Sequence, residues 1–200
     1  MPRTDTPAAN AHDAIVMGGS SGAIDALMDI LPALPAGLRA AVLVVLHLPR
    51  HRRSLLVEIF GQRCALPAVE AEDQMPIEPG HVYFAAPDYH LLVDAGPRLS
   101  LSIDPPVHFS RPSIDVLFET AAECYGDRLI GILLSGANED GARGLAAIDA
   151  AGGLTVVQTP ASASMPAMPD AALARLRAHH VLPPPDIATL LAQRHAQRLL

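Results

Sequence analysis

Tryptophan is absent from this 200-residue chain, aromatic residues make up only 4 % of it, and cysteine occurs twice. Each scarcity removes a class of protein. With a formal net charge of −7, the chain lacks both the basic surface and the interleaved aromatics on which nucleic-acid binding relies, so nucleic acid is not an expected partner. No apolar run approaches the roughly 18 residues needed to span a bilayer, and the opening MPRTDTPAANAHD holds no apolar signal core. A cytoplasmic protein without membrane insertion is expected. Cys64 and Cys124 have neither metal-ligand spacing nor the density of a disulfide scaffold, which fits a reducing compartment and two small core residues. His47 and His51 stand four apart, but Pro49 interrupts any regular helix between them and no third ligand lies nearby in sequence. No metal and no cofactor are expected.

What the chain does have is apolar mass, half of its residues, enough for one core. Residues 1–12 read as a loose arm and 13–200 as a single domain. Uninterrupted apolar runs at Ala14–Met17, Ala41–Leu46 and Leu129–Leu134 have the texture of buried parallel strands, and Leu154–Gln158 is expected to be another strand. Helical spacing follows or separates them. Ile24, Leu27, Met28 and Leu31 recur on one face before Pro32 and Pro35, a short helix is expected from Ser54 to about Gly61, and Ile114, Leu117, Phe118 and Ala121 recur after a Ser113 cap. Further helices are expected over Gly141–Ala151, Asp170–Arg177 and about Pro185–Leu199, with a short strand at Val181-Leu182. Between residues 66 and 103, short apolar runs at Val82–Ala85, Leu91–Val93 and Leu99–Ile103 are punctuated by Pro, Gly and Asp, including a turn at Asp94-Ala-Gly96-Pro97, and read as antiparallel hairpins. The expected fold is α/β and doubly wound, a mainly parallel sheet flanked by helices with a hairpin region beside it.

The first apolar run ends in a turn of small residues, AIVMGGSSGA, in which Gly18, Ser20 and Gly22 make a G-x-S-x-G pattern. In a nucleophile elbow such a turn lifts a serine hydroxyl above the sheet, close to helix N-terminal amides that can receive an oxyanion. Dinucleotide and phosphate-loop patterns are not matched, whereas a purely structural glycine turn is a second reading. His47 ends the second strand, and Asp140 lies in the loop after the strand Leu129–Leu134. Ser20, His47 and Asp140 thus follow three apolar strands, at the sheet edge where ligands of open α/β folds bind. A serine needs a base, and the base needs a carboxylate to hold its tautomer. The order Ser, His, Asp differs from the Ser, Asp, His of α/β-hydrolases.

Over residues 13 to 195 the chain resembles the catalytic domain of the CheB chemotaxis methylesterases. The resemblance rests on GGSSGA, the strand end VLHLP, EAEDQMPIEPGHVYFAAPDYHL, RPSIDVLFETAA, LLSGANEDGARGLAAIDAAGG and ASMPAMPDAAL. It implies hydrolysis of glutamate γ-methyl esters on methylated chemoreceptors, with glutamine deamidation as a second activity. By position it implies Ser20 as nucleophile, His47 as general base and Asp140 as the acid that orients the histidine. The oxyanion would fall to the amides of Ser21 and Ala137. Arg111 has two readings, as a residue that positions substrate or a loop and as the partner of a nearby acid. Three departures stand out: Ala137-Asn138 where the family usually has a larger residue and then glycine, Leu46 where it has a polar residue, and about a dozen residues where many members carry a receiver domain. Asn suits position 138 if a positive φ is needed there. An esterase or amidase of other specificity, or a binding module without turnover, are the alternative functions.

Overall fold

The computed structural model describes residues 13–48, 54–96 and 98–200. The expected N-terminal arm, the basic stretch Arg50–Arg53 with His51, and Pro97 lie outside the described residues. In chain order the elements are β1 (Ala14–Gly19), α1 (Ala23–Ile30), β2 (Ala41–Leu46), α2 (Leu56–Gly61), β3 (Ala68–Glu70), β4 (Val82–Phe84), β5 (His90–Asp94) and β6 (Arg98–Ser102). There follow α3 (Ile114–Tyr125), β7 (Leu129–Leu133), α4 (Ala142–Ala150), β8 (Leu154–Gln158), α5 (Ala167–Arg175), β9 (His180–Leu182) and α6 (Pro184–Ala196).

Seven strands form one sheet in the order β3-β4-β2-β1-β7-β8-β9, and every pairing in it is parallel. A strand buried on both faces has no solvent side to make polar, which is why β1, β2 and β7 are apolar or glycine throughout. Alternate residues of β1 feed two cores. Ala14 and Val16 pack in the cluster with Ile114, Leu117 and Phe118 of α3 and Leu145 and Ile148 of α4, whereas Ile15 and Met17 join Leu27 and Ile30 of α1 and Ile187 and Leu191 of α6. Each Val, Leu, Ile, Phe or Met side chain removed from water in this way contributes about 1.5–3 kcal/mol. Among the described residues no helix is long and apolar enough to cross a membrane.

The region 66–103 divides differently from the expectation. The antiparallel hairpin is β5–β6, paired from His90↔Ser102 to Asp94↔Arg98 and packed on α3. Val82–Phe84, however, runs parallel to β2 and to β3, so these residues extend the main sheet instead of forming a hairpin. Its three residues are fully buried, and a strand that must be covered on both faces has to lie within the layered sheet. The helix α2 begins at Leu56, two residues later than expected, with the Leu56 amide donating to Ser54 Oγ at 3.3 Å.

The topology marks one place for chemistry. From β1 the chain passes to β2 on one side and later crosses to β7 on the other, so β1 is the switch point of the sheet. Crevices open at the carboxyl ends of strands at such a point.

Candidate active site

Ser20 follows the last residue of β1 and opens the turn into α1. Its amide donates to Ser135 O (2.9 Å), and its carbonyl accepts from Ala23 N (3.0 Å). Gly22 closes the turn at φ +79°, where a Cβ would also sit 2.5 Å from Ser164 Cβ, so glycine is required there. Among the described residues, neither the Ser21 nor the Ala137 amide donates to a protein acceptor.

His47 is placed beside this turn by the register of β2 on β1, in which Gly19 faces Leu46 and Gly19 O accepts from His47 N (3.2 Å). Its ring is committed at both nitrogens: Nε2 lies 2.8 Å from Asp140 Oδ2, and Nδ1 lies 3.3 Å from Ser110 Oγ. Ser20 Oγ makes no hydrogen bond to the ring. With Nε2 held by the carboxylate, Nδ1 is the nitrogen left to exchange a proton.

Asp140 has no solvent exposure, and its two oxygens take four hydrogen bonds. Oδ1 accepts from Ser113 Oγ (2.8 Å) and Asp115 N (3.0 Å), and Oδ2 from Ile114 N (2.8 Å) and His47 Nε2. The amides of Ile114 and Asp115 are the first of α3, so a carboxylate 25 or more residues away in sequence caps that helix in the favoured electrostatic sense. Burial alone pushes the Asp140 carboxyl up. The bonds from His47, the two amides and Ser113 outweigh it and hold the group below its ordinary value, ionised beside the histidine. Ser113 does occupy the N-cap position, but its hydroxyl serves Asp140 and makes no cap bond of its own.

A second buried carboxylate backs the first. Asp115 Oδ1 accepts from Gly141 N (2.9 Å) and Gly144 N (2.8 Å), fixing the start of α4 immediately after Asp140. Its other oxygen is buried without a hydrogen bond and faces His108 Nε2 at 3.4 Å and Arg143 Nε at 3.7 Å. Burial and the charge of Asp140 push the Asp115 carboxyl up, while the Gly144 amide, Arg143 and His108 pull the other way. His108, Asp115 and Asp140 place donor atoms within 4.8 Å of one another. Asp140 accepts four hydrogen bonds within this cluster, while Asp115 Oδ2 faces His108 and Arg143.

Asn138 does not adopt a left-handed φ. Its Oδ1 instead accepts from Asp140 N (3.2 Å) and its Nδ2 donates to His108 O (3.4 Å), so asparagine serves this loop through its side chain. Arg111 is taken up by Asp88, through Nε (3.1 Å) and a second guanidinium nitrogen (2.9 Å) on Oδ1, and by the carbonyls of Ile103 (2.7 Å) and Asp104 (3.1 Å). It fastens the loop that carries Ser110. Together with His47, Leu48, Phe109, Ser110 and Pro112 it lines a cavity of about 80 Å³.

Ser110 and Ser135 were not legible as site residues. Ser135 Oγ donates to Ser21 O (2.7 Å) and accepts from Met165 N (2.9 Å), tying the turn after β1 to the loop before α5. The LLSGAN segment carried the only sequence signal for Ser135, and Ser110 had none beyond its place before RPS.

Residues 15–191 match the model of the CheB methylesterase family. A Leptospira interrogans protein, provisionally named protein-glutamate methylesterase/protein-glutamine glutaminase, is 44 % identical over 179 residues, 90 % of this chain and 93 % of that one. A Symbiobacterium thermophilum protein-glutamate methylesterase/protein-glutamine glutaminase is 37 % identical over 90 % of this chain, which spans only 49 % of it. The crystal structure of the Thermotoga maritima CheB methylesterase catalytic domain superposes with a TM-score of 0.88 at 29 % identity, covering 92 % of this chain and 98 % of that one. From the strand order to the match across nearly its whole length, this chain belongs to the CheB methylesterase family.

Proposed function

We propose that this protein hydrolyses glutamate γ-methyl esters on chemoreceptor-type proteins in the cytoplasm, and deamidates glutamine at such sites, with Ser20 as nucleophile, His47 as general base and Asp140 as the orienting acid. The observation that carries the reading is the buried, four-fold bonded Asp140 on His47 Nε2, beside a serine framed by glycines at the switch point of the sheet. Residues 13–200 would act as one catalytic domain.

In this reading Ser20 Oγ attacks the γ-carbonyl carbon and its proton passes to His47 Nδ1, while Asp140 stabilises the imidazolium through Nε2–H. The carbonyl oxygen becomes an oxyanion received by the amides of Ser21 and Ala137. Collapse breaks the bond to methoxide, which takes the proton from Nδ1 and leaves as methanol. Water, deprotonated by Nδ1, then attacks the γ-glutamyl ester on Ser20 and releases the carboxylate with the serine restored. With glutamine the leaving group is ammonia.

One observation favours a second assignment of the nucleophile. Ser110 Oγ, not Ser20 Oγ, is the hydroxyl on His47 Nδ1. The helix that follows Ser110, α3, gives its first amides to Asp140, whereas Ser20 stands at the start of α1 next to the Ser21 amide, which donates to no described protein acceptor, so oxyanion stabilisation favours Ser20. Ser110 is then a positioning residue that keeps the imidazole in plane until substrate arrives. Incubating the protein with a methylated receptor fragment tests the function: methanol and new glutamate carboxylates should appear together. Binding of the fragment without methanol would leave only a binding module, and cleavage of small esters but not the fragment would mean another esterase specificity.

A further inference from the structure

Of the four phenylalanines in the chain, Phe60, Phe84 and Phe118 are fully buried and Phe109 is 98 % exposed. Phe109 lies in the two-residue turn between Val107 and Ser110, which exchange backbone hydrogen bonds (Val107 N to Ser110 O, 3.1 Å; Ser110 N to Val107 O, 2.8 Å). Both central residues are left-handed, His108 at φ 47° and Phe109 at φ 61°. Asn and Gly tolerate that geometry, but a side chain with a bulky Cβ substituent is strained in it. Strain of this kind persists only where the surroundings hold it and clusters at functional sites.

Here the surroundings do hold it, from below. His108 faces the buried Asp115, its carbonyl accepts from Asn138 Nδ2, and Ser110 reaches His47 Nδ1. The outward side of the same turn presents the aromatic ring at the rim of the cavity that His47, Leu48 and Ser110 line. The exposed phenyl group sits at a left-handed position, one residue from the contact to the candidate base, where a segment entering the site would meet it.

We propose that Phe109 is a specificity residue, which packs against an apolar side chain of the protein segment that carries the reacting glutamyl ester. The assignment rests on the methylesterase reading. The methyl ester itself reacts deeper in the site, so Phe109 reads the protein around the ester and leaves the chemistry to Ser20, His47 and Asp140.

The test compares wild type, Phe109→Gly and Phe109→Leu on a methylated receptor fragment and on N-acetylglutamate γ-methyl ester, with thermal unfolding of all three. Glycine relieves the left-handed strain, so Phe109→Gly should melt no lower than wild type while KM for the fragment rises about tenfold, equivalent to ~1.4 kcal/mol, at nearly constant kcat. Phe109→Leu, which keeps an apolar contact, should recover most of the lost affinity. The small ester, which carries no protein segment, should lose clearly less in kcat/KM than the fragment does. An unchanged fragment KM in Phe109→Gly would overturn the assignment, as would an equal loss on both substrates. Absence of turnover of either substrate by wild type would instead overturn the methylesterase reading, and this assignment with it.

Discussion

Replacing Asp140 by Asn removes one charge and changes one atom, and the geometry fixes what must follow. The carboxylate accepts from Ser113 Oγ and the Asp115 amide on one oxygen, and from the Ile114 amide and His47 on the other. An asparagine offers a single acceptor oxygen. If that oxygen faces His47, the Asp115 N–H meets an NH₂ group, and if it faces Ser113, the Ile114 N–H does. Either way a buried amide loses its acceptor, at a cost of about 1–3 kcal/mol. The start of α3 also loses its anion, worth about 0.3–1 kcal/mol. Relief of the buried charge offsets part of this, so Asp140→Asn should lose about 2–3 kcal/mol in urea unfolding near pH 7. In the second orientation His47 Nε2 faces a donor and the ring must change tautomer, which in a serine triad costs about 10⁴-fold in turnover. Methanol release from a methylated receptor fragment, measured on folded protein, should fall by about 10³- to 10⁴-fold. Stability within ~0.5 kcal/mol of wild type together with turnover within about threefold would refute the reasoning, because Asp140 could then neither cap α3 nor hold the base.

Other perturbations address the frame around the candidate site. Ser135→Ala leaves Met165 N without its acceptor and frees Ser21 O, so thermal or urea unfolding should show a loss of about 1–3 kcal/mol and turnover should fall with it. Gly22→Ala forces a Cβ into a left-handed position and against Ser164, and should cost about 2 kcal/mol or more on the same unfolding curve. Asp115 and Asp140 should show opposite pH signatures. Asp140 is held below its ordinary 3.8, so its contribution is present above that pH and lost as pH falls through the lower folded value. Asp115 is pushed above 3.8, so its contribution is greatest below 3.8 and is lost as pH rises through the folded value. Asp115→Asn should therefore gain stability relative to wild type between pH 3.5 and 7, read from urea midpoints, and a falling difference over that range would contradict the sign.

Much of this architecture was readable in the chain because parallel strands buried on both faces must be apolar without interruption. Ala14–Gly19, Ala41–Leu46 and Leu129–Leu133 could hardly be anything else, and their ends located Ser20, His47 and Asp140. Where an element is short, that signal fades. Ala68–Glu70 is only partly buried, and Val82–Phe84 sits among prolines and glycines that also punctuate hairpins, so its parallel pairing depends on β2 and β3 rather than on its own sequence. The supporting hydrogen bonds were hidden for a different reason. Ser110 lies 63 residues from His47, and Ser113 lies 27 from Asp140. Local patterning carries no trace of such pairs, and it suggested for Ser113 a cap bond that the hydroxyl gives up to Asp140. The asparagine at 138 was likewise read through its backbone, while its side chain does the binding.

The central claim is that Ser20 attacks substrate although Ser110 holds the base in the resting enzyme, and single-turnover methanol release by Ser20→Ala and Ser110→Ala, measured side by side on one methylated receptor fragment, tests it most directly. Ser20→Ala should fall about 10⁴-fold or more, to the background rate, and Ser110→Ala should stay within about tenfold of wild type. Loss of methanol release in Ser110→Ala with release retained in Ser20→Ala would contradict the account and move the nucleophile to the turn beside His47.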